Sequence, residues 1–218
     1  MRGKYKNYYT TPYFEEYARI ALNDLLNLSL IRREDRYGQD KPDLISDDEM
    51  IGVEVTLALS EEAGRHNKLF QRQYPKENRN EILKEEAKRL RIEKDLHIVN
   101  GIATLKMDGG REYYINTLSH AVNKKLKNLN KPDFNKYPTN ILYIGAYHHF
   151  AEDIEEFLDD FTKYVNPQAT NFDLIYILNV DGLYIFNGKD YQIIPIPEIN
   201  FNIYKQQAIQ YVKDHEDM

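Results

Sequence analysis

Apolar residues recur along the chain in two patterns, one typical of helices and one typical of buried strands. Apolar positions three to four residues apart predict helices over residues 13–30, 113–129, 151–165 and 204–214. Nearly continuous apolar runs predict strands buried on both faces over residues 50–59, 140–147 and 172–179. Shorter strands are expected over residues 43–46, 183–186 and 191–196. Strands that alternate with helices indicate an α/β fold with a mixed central sheet flanked by helices.

The segment from residue 60 to residue 110 differs from its surroundings. Residues 60–74 and 78–93 are highly charged helical patterns, and the weak alternation of residues 97–106 predicts a ribbon or hairpin. The chain contains no repeat, low-complexity tract or linker-like stretch. We therefore expect a single domain, residues 1–218, in which residues 60–110 are a helical or hairpin insertion.

The composition excludes several classes of protein. The 218 residues include no cysteine, which excludes disulfide scaffolds, thiol catalysis, thiolate zinc sites and iron–sulfur clusters. No apolar run approaches the roughly 20 residues of a membrane span, and residues 1–11 lack the apolar stretch of a signal peptide. We expect a cytoplasmic protein that does not associate with membranes.

Charge is distributed unevenly along the chain. The net charge is −6, yet residues 64–131 contain 16 basic and 8 acidic side chains, and the remainder contains 13 basic and 27 acidic ones. This asymmetry predicts a cationic face that contacts the phosphates of a nucleic acid. The basic residues expected on it are Arg65, Lys68, Arg72, Lys124, Lys125 and Lys127. For residues 79–95 alone, a solvated helix of mixed charge is the simpler interpretation.

Two acidic residues lie at or within predicted strands, and burial should expel one of them, Glu54. Asp43 follows Pro42 at the start of one strand, and Glu54 interrupts the apolar run of the next. A buried carboxylate without a partner is costly, so it usually has a partner or a function. If the two strands form a hairpin, the carboxylates can meet at one end of the sheet. Together with a strand carbonyl such as that of Val55 they would bind Mg²⁺ or Mn²⁺, which activates water for phosphodiester hydrolysis.

These residues resemble the PD-(D/E)xK nuclease superfamily, the fold of many restriction enzymes, Holliday-junction resolvases and RecB-type nucleases. The resemblance covers roughly residues 13–59, with residues 140–147 as the strand that closes the shared core. It implies a restriction-endonuclease-like αβββαβ core with extra C-terminal strands. It also implies that Asp43 and Glu54 are metal ligands in a Mg²⁺- or Mn²⁺-dependent nuclease acting on DNA or RNA.

The family also has a glutamate in its opening helix and a lysine two residues after the strand acid. Glu15 or Glu16 matches the glutamate. Thr56 stands in the lysine position, where the family's lysine orients the attacking water, and a threonine hydroxyl supplies no positive charge. Either catalysis is lost or the lysine has moved, to Lys68 or to Lys124. We favour Lys124 because its helix completes the αβββαβ order.

Three functions are compatible with the sequence, and a homodimer is possible in each. The first is the metal-dependent nuclease, and the second is a catalytically degenerate nuclease fold that binds nucleic acid or protein. The third is an unrelated α/β interaction protein in which Asp43 caps a turn and Glu54 pairs with Arg32, Arg33 or Lys124. A separation of the two carboxylates by more than roughly 8 Å would favour the third, because a shared Mg²⁺ holds its oxygen ligands much closer.

Overall fold

A computed structural model of the chain describes residues 11–32, 41–59, 96–99, 102–105, 110–165 and 172–215, with the backbone alone for residues 96–99 and 102–105. The helices within these residues are α1 (Thr11–Leu26), α2 (Gly110–Leu129), α3 (Ala151–Asp159), α4 (Phe161–Tyr164) and α5 (Glu198–His215). The strands are β1 (Leu30–Arg32), β2 (Leu44–Ser46), β3 (Ile51–Leu57), β4 (Leu96–Val99), β5 (Ile102–Leu105), β6 (Thr139–Gly145), β7 (Leu174–Leu178), β8 (Gly182–Phe186) and β9 (Tyr191–Pro195).

Seven of these strands form one mixed sheet in the order β1-β2-β3-β6-β7-β8-β9. The three strands β3, β6 and β7 are parallel, and antiparallel pairs extend the sheet on both sides of them. The predicted α/β fold with a mixed sheet is confirmed. The elements α1-β1-β2-β3-α2-β6 follow the expected αβββαβ order, and β7 to β9 are the extra C-terminal strands.

A separate antiparallel hairpin, β4–β5, lies between β3 and α2 in the chain. It agrees with the ribbon or hairpin predicted over residues 97–106. The two charged helices predicted over residues 60–74 and 78–93 lie outside the described residues, so the nature of the insertion stays a prediction.

Helices cover both faces of the sheet. α1 and α5 pack on one face, and α2, α3 and α4 pack on the other. α2 and α3 lie on the same face because β3–α2–β6 and β6–α3–β7 are both crossovers between parallel strands, and both move in the same direction across the sheet. Right-handed crossovers in the same direction put their helices on the same face. None of the described helices is long and apolar enough to cross a membrane.

The alternation of side chains along β3 decides which residues face α2. Val53 and Val55 lie in the core against α1 and α5. Successive strand residues point to opposite faces, so Glu54 and Thr56 face the side of α2. The register agrees with this, since Glu54 pairs with Leu142 of β6, which belongs to the core on the α2 side.

The core between the sheet and helices α1 and α5 is rich in tyrosine. Its fully or nearly fully buried tyrosines are Tyr13, Tyr17, Tyr143, Tyr147, Tyr176 and Tyr204. The hydroxyls of Tyr143 and Tyr147 are 3.3 Å apart, and Tyr204 donates a 2.5 Å hydrogen bond to Asp24. Burial raises the pKa of Tyr143 and of Tyr147 well above the usual value. The phenols of Tyr143 and Tyr147 therefore stay neutral and pack in the core with their hydroxyls in contact.

A buried histidine joins α2 to the loop that precedes α3. His149 Nε2 lies 2.7 Å from the hydroxyl of Thr117 and 3.2 Å from the carbonyl of Tyr114. Because a carbonyl only accepts hydrogen bonds, the neutral ring carries its proton on Nε2. Burial lowers the pKa of His149 from 6.5 to about 4. His149 is therefore a neutral core residue with a packing role.

Three helices differ most from the sequence-based expectations. α1 ends at Leu26 rather than at residue 30, because Asn27 and Ser29 adopt positive φ angles of 52° and 50°. The predicted helix over residues 151–165 is divided at Asp160 into α3 and α4. The terminal helix begins at Glu198, six residues earlier than expected.

Candidate active site

The pairing of β2 with β3 brings Asp43 and Glu54 together. Leu44 pairs with Val53 in the antiparallel register, so the residue before Leu44 lies beside the residue after Val53. The N–H of Val55 donates a 2.7 Å hydrogen bond to Asp43 Oδ2. This bond ties Asp43 to the strand that carries Glu54. The hairpin arrangement on which the sequence interpretation depends is therefore present.

Close packing at Gly52 supports the segment that carries Asp43. A Cβ atom at Gly52 would lie 2.8 Å from Cδ2 of Tyr137 and 2.9 Å from Cγ of Pro42. Such distances are well inside van der Waals contact, so any larger residue would displace one of the two rings. Pro42 directly precedes Asp43. The absence of a side chain at Gly52 thus lets the chain before Asp43 lie against β3.

The cation that both acids share is Lys125 of α2. Its Nζ lies 2.5 Å from Glu54 Oε2 and 3.3 Å from Asp43 Oδ2. The side chains of Glu54 and Lys125 are 6% and 14% exposed, and that of Asp43 is 26% exposed. Because both oxygens contact one nitrogen, they lie closer together than the roughly 8 Å that would argue against a shared ion. We call Asp43, Glu54 and Lys125 the acid–lysine cluster.

Lys125 occupies the position that we expected for Lys124. Consecutive residues of an α-helix point about 100° apart, so the two lysines cannot both face the sheet. Leu118, Val122 and Leu129 are buried along one side of α2, and Lys125 continues that stripe three residues after Val122. Lys124 is exposed. The helical spacing of the apolar residues distinguishes the two lysines, whereas the order of the elements, which favours this helix, does not.

Burial and charge act in opposite directions on Lys125. Burial lowers the pKa of Lys125, but the attraction of Asp43 and Glu54 outweighs it, so the pKa is raised above its usual 10.5. The ammonium therefore keeps its charge at physiological pH. Two carboxylates and one ammonium give the acid–lysine cluster a formal charge of −1.

Thr56 and Val55 flank Glu54 in β3. Thr56 is half-buried on the same face as Glu54 and brings no charge to it. The Val55 side chain is buried in the opposite core, but its N–H reaches Asp43. In a strand, the N–H and C=O of one residue leave on the same side. The Val55 carbonyl is therefore directed to the side of Asp43, as its predicted role as an oxygen ligand requires.

Glu15 and Glu16 of α1 are buried and paired with arginines. Glu15 Oε2 lies 2.9 Å from Nε of Arg32 in β1, and Glu16 Oε1 lies 2.6 Å from Nη2 of Arg19. Arg32 also lies 5.6 Å from the ring centre of Tyr211. The sequence leaves Arg32 as a partner for Glu54, but in the structure Arg32 pairs with Glu15. The predicted role of Glu15 or Glu16 at a metal site stays a prediction.

The expected cationic face is only partly within the described residues. Arg65, Lys68 and Arg72 lie outside them, and this includes Lys68 as the second candidate for the displaced lysine. Lys124 and Lys127 are exposed on α2, as a phosphate-contacting face requires. The prediction that Lys125 belongs to this cationic face is wrong, because its side chain is directed into the acid–lysine cluster and not to solvent.

The acid–lysine cluster offers oxygen ligands to a hard cation. Among the described residues, no three His, Asp or Glu side chains come together as a ready-made metal centre. Mg²⁺, however, typically binds through one or two carboxylates and keeps several of its waters. Two carboxylates that already converge on one cation, with a strand carbonyl on the same side, fit that requirement.

No protein-family model, curated protein or solved structure that was compared with the chain matches it. The geometry of the acid–lysine cluster is therefore the main guide to function.

Proposed function

We propose that the protein is a Mg²⁺- or Mn²⁺-dependent nuclease of the PD-(D/E)xK type, in which Lys125 replaces the motif lysine that is missing at Thr56. The observation that carries the proposal is that one ammonium, that of Lys125, lies within hydrogen-bonding distance of both Asp43 and Glu54. The αβββαβ order of the elements supports it further, since α2 is the helix between β3 and β6 in that order.

The residues of the acid–lysine cluster divide the chemistry between them. The carboxylates of Asp43 and Glu54 and the carbonyl of Val55 would hold the ion. When bound, the ion supplies an activated water and stabilises charge on the phosphate. Lys125 provides the positive charge that Thr56 lacks. Its ammonium donates hydrogen bonds that orient the attacking water and stabilise the negative charge that develops on a phosphate oxygen.

A cleavage assay with matched variants tests the proposal. Supercoiled plasmid, single-stranded DNA and single-stranded RNA are incubated with Mg²⁺ or Mn²⁺. We expect Asp43→Asn, Glu54→Gln and Lys125→Met each to lower the cleavage rate by about 10²–10³-fold, the usual effect of removing a group that stabilises transition-state charge. Asp47→Asn, in the exposed turn between β2 and β3, and Lys189→Met, in the exposed turn before β9, should retain the rate of the unmodified protein.

A wild-type protein that cleaves none of these substrates with either ion would refute the nuclease. The cluster itself then favours the degenerate nuclease fold, because Lys125 already balances one of the two acids without any metal. That alternative predicts salt-sensitive DNA binding that neither EDTA nor Asp43→Asn changes.

A further inference from the structure

We propose that Lys125 and the divalent metal compete for the same two carboxylates, so that the protein's own ammonium closes the metal site until an ion displaces it. This inference rests on the proposed metal-dependent function. It adds a property that the function does not require, namely that binding of the ion and release of Lys125 are one event.

Lys125 and the ion would bind the same carboxylates. The oxygens that contact Lys125 Nζ are Glu54 Oε2 and Asp43 Oδ2, which belong to the two carboxylates that would hold the ion. Asp43 Oδ2 also accepts the N–H of Val55, so two donors already occupy this oxygen. A carboxylate oxygen has about two lone-pair sites. An ion that binds Asp43 Oδ2 must therefore take the place of one of these two donors.

The identity of the displaced donor follows from how each donor is held. The N–H of Val55 belongs to the backbone of β3, which is fixed by pairing with β6 along its whole length. Lys125 is held by a long side chain with several rotatable bonds. The ammonium also carries the same sign of charge as the ion, so the two repel each other. Lys125 is therefore the donor that moves.

Burial makes this competition effective. The Lys125 and Glu54 side chains are largely removed from water, so their attraction is weakly screened by solvent and salt. A divalent ion binds only if its own attraction to the carboxylates exceeds the attraction between Lys125 and Glu54. Once released, the ammonium stays beside the ligands, where a positive charge is needed to bind and stabilise the phosphate.

Binding of Mn²⁺ to the full chain without nucleic acid tests the inference. Isothermal titration calorimetry compares the wild type with Lys125→Met and with Lys124→Met, which removes the same charge from the exposed neighbouring position of α2. We expect Lys125→Met to bind Mn²⁺ at least about tenfold more tightly than the wild type, since the competing cation is gone. Lys124→Met should stay within about twofold of the wild type, and Glu54→Gln should lose the site. Equal affinities for the two lysine variants, or weaker binding by Lys125→Met, would overturn the inference.

A second measurement uses the wild type and does not depend on the folding of a variant. The chain is acetylated briefly with an N-hydroxysuccinimide ester, and the modified positions are located by tandem mass spectrometry. Lys124 serves as the internal reference. We expect saturating Mg²⁺ to raise the acetylation rate of Lys125 several-fold relative to Lys124. An unchanged ratio at saturation would overturn the inference.

The two proposals fail in distinguishable ways. If neither the wild type nor Lys125→Met binds Mn²⁺, the metal site is absent and both proposals are wrong. If the wild type binds Mn²⁺ and cleaves nucleic acid while Lys125→Met binds the ion no more tightly, only the competition is wrong.

Discussion

The buried pair formed by Glu54 and Lys125 permits a quantitative test of the site in the metal-free protein. The perturbation is a double-mutant cycle of Glu54→Gln, Lys125→Met and the combination of both, measured in EDTA. The two side chains are 6% and 14% exposed, and their charged atoms are 2.5 Å apart. A pair of this kind is desolvated, so its partners should depend on each other more than those of a surface ion pair.

The expected magnitudes follow from what each change leaves behind. Lys125→Met leaves two neighbouring carboxylates without their shared cation, and breaking a buried pair in this way costs about 3–5 kcal/mol. Glu54→Gln leaves Lys125 with Asp43 at 3.3 Å, which is more exposed, so the cost is about 1.5–3 kcal/mol, the range for a hydrogen bond to a charged group. The double variant removes the charges of the pair together. It should be less destabilised than the sum of the single variants, by about 2 kcal/mol.

Urea unfolding at pH 7 and 25 °C measures these values. The chain has 18 tyrosines and no tryptophan, so tyrosine fluorescence and far-ultraviolet circular dichroism are the appropriate signals. Lys124→Met is the control, and as an exposed change it should alter the free energy of unfolding by less than about 0.5 kcal/mol. A coupling free energy below about 0.5 kcal/mol between Glu54 and Lys125 would refute the reasoning, because it would mean that the two side chains do not interact in the folded protein.

Two further predictions concern residues outside the acid–lysine cluster. Burial lowers the pKa of His149 from 6.5 to about 4, so between these pH values the folded protein binds fewer protons than the unfolded chain. The contribution of this shift to the free energy of unfolding is complete above pH 6.5, and about 3 kcal/mol of it is lost as the pH drops through 4. Urea unfolding from pH 7 to pH 4 should show a smaller decline for His149→Gln than for the wild type, and equal declines would contradict this. Gly52→Ala should destabilise the protein by about 1–3 kcal/mol and weaken Mn²⁺ binding, since its Cβ would displace Pro42 or Tyr137 and hence Asp43; an unchanged unfolding midpoint would count against it.

The parts of the fold that the sequence predicts well are those in which one signal dominates. The strands β3, β6 and β7 are buried on both faces, and their continuous apolar runs leave little choice of structure. α2 is long and strongly periodic. β1, by contrast, has only three residues and lies next to a charged stretch. Its first residue is held by the Asn23 side chain, which hydrogen-bonds both the N–H and the carbonyl of Leu30, at 2.7 and 2.9 Å, and a periodicity argument cannot detect such a contact.

The candidate site likewise has a part that the sequence predicts and a part that it does not. Asp43 and Glu54 were predictable as a pair, because a carboxylate inside an apolar strand, such as Glu54, requires a partner, and a hairpin of the two strands brings Asp43 beside it. The identity of the lysine needed the orientation of α2 about its own axis. The buried positions of that helix carry this information, but only once the helix is known to pack across the face of β3 that bears Glu54.

A lysine supplied by a helix depends on different structural support from a lysine supplied by a strand. In the strand motif, the acid and the lysine are two residues apart and necessarily share a face. Here the position of Lys125 relative to Glu54 depends on how Val122 and Leu129, one turn before and one turn after it, pack in the core on this side of the sheet. A change in that core would therefore shift the ammonium without touching an acid. If the proposed function is correct, core substitutions in α2 should lower the cleavage rate by more than the loss of folded protein accounts for. Core substitutions in α5, on the opposite face, should lower the free energy of unfolding and leave the cleavage rate of the folded protein unchanged.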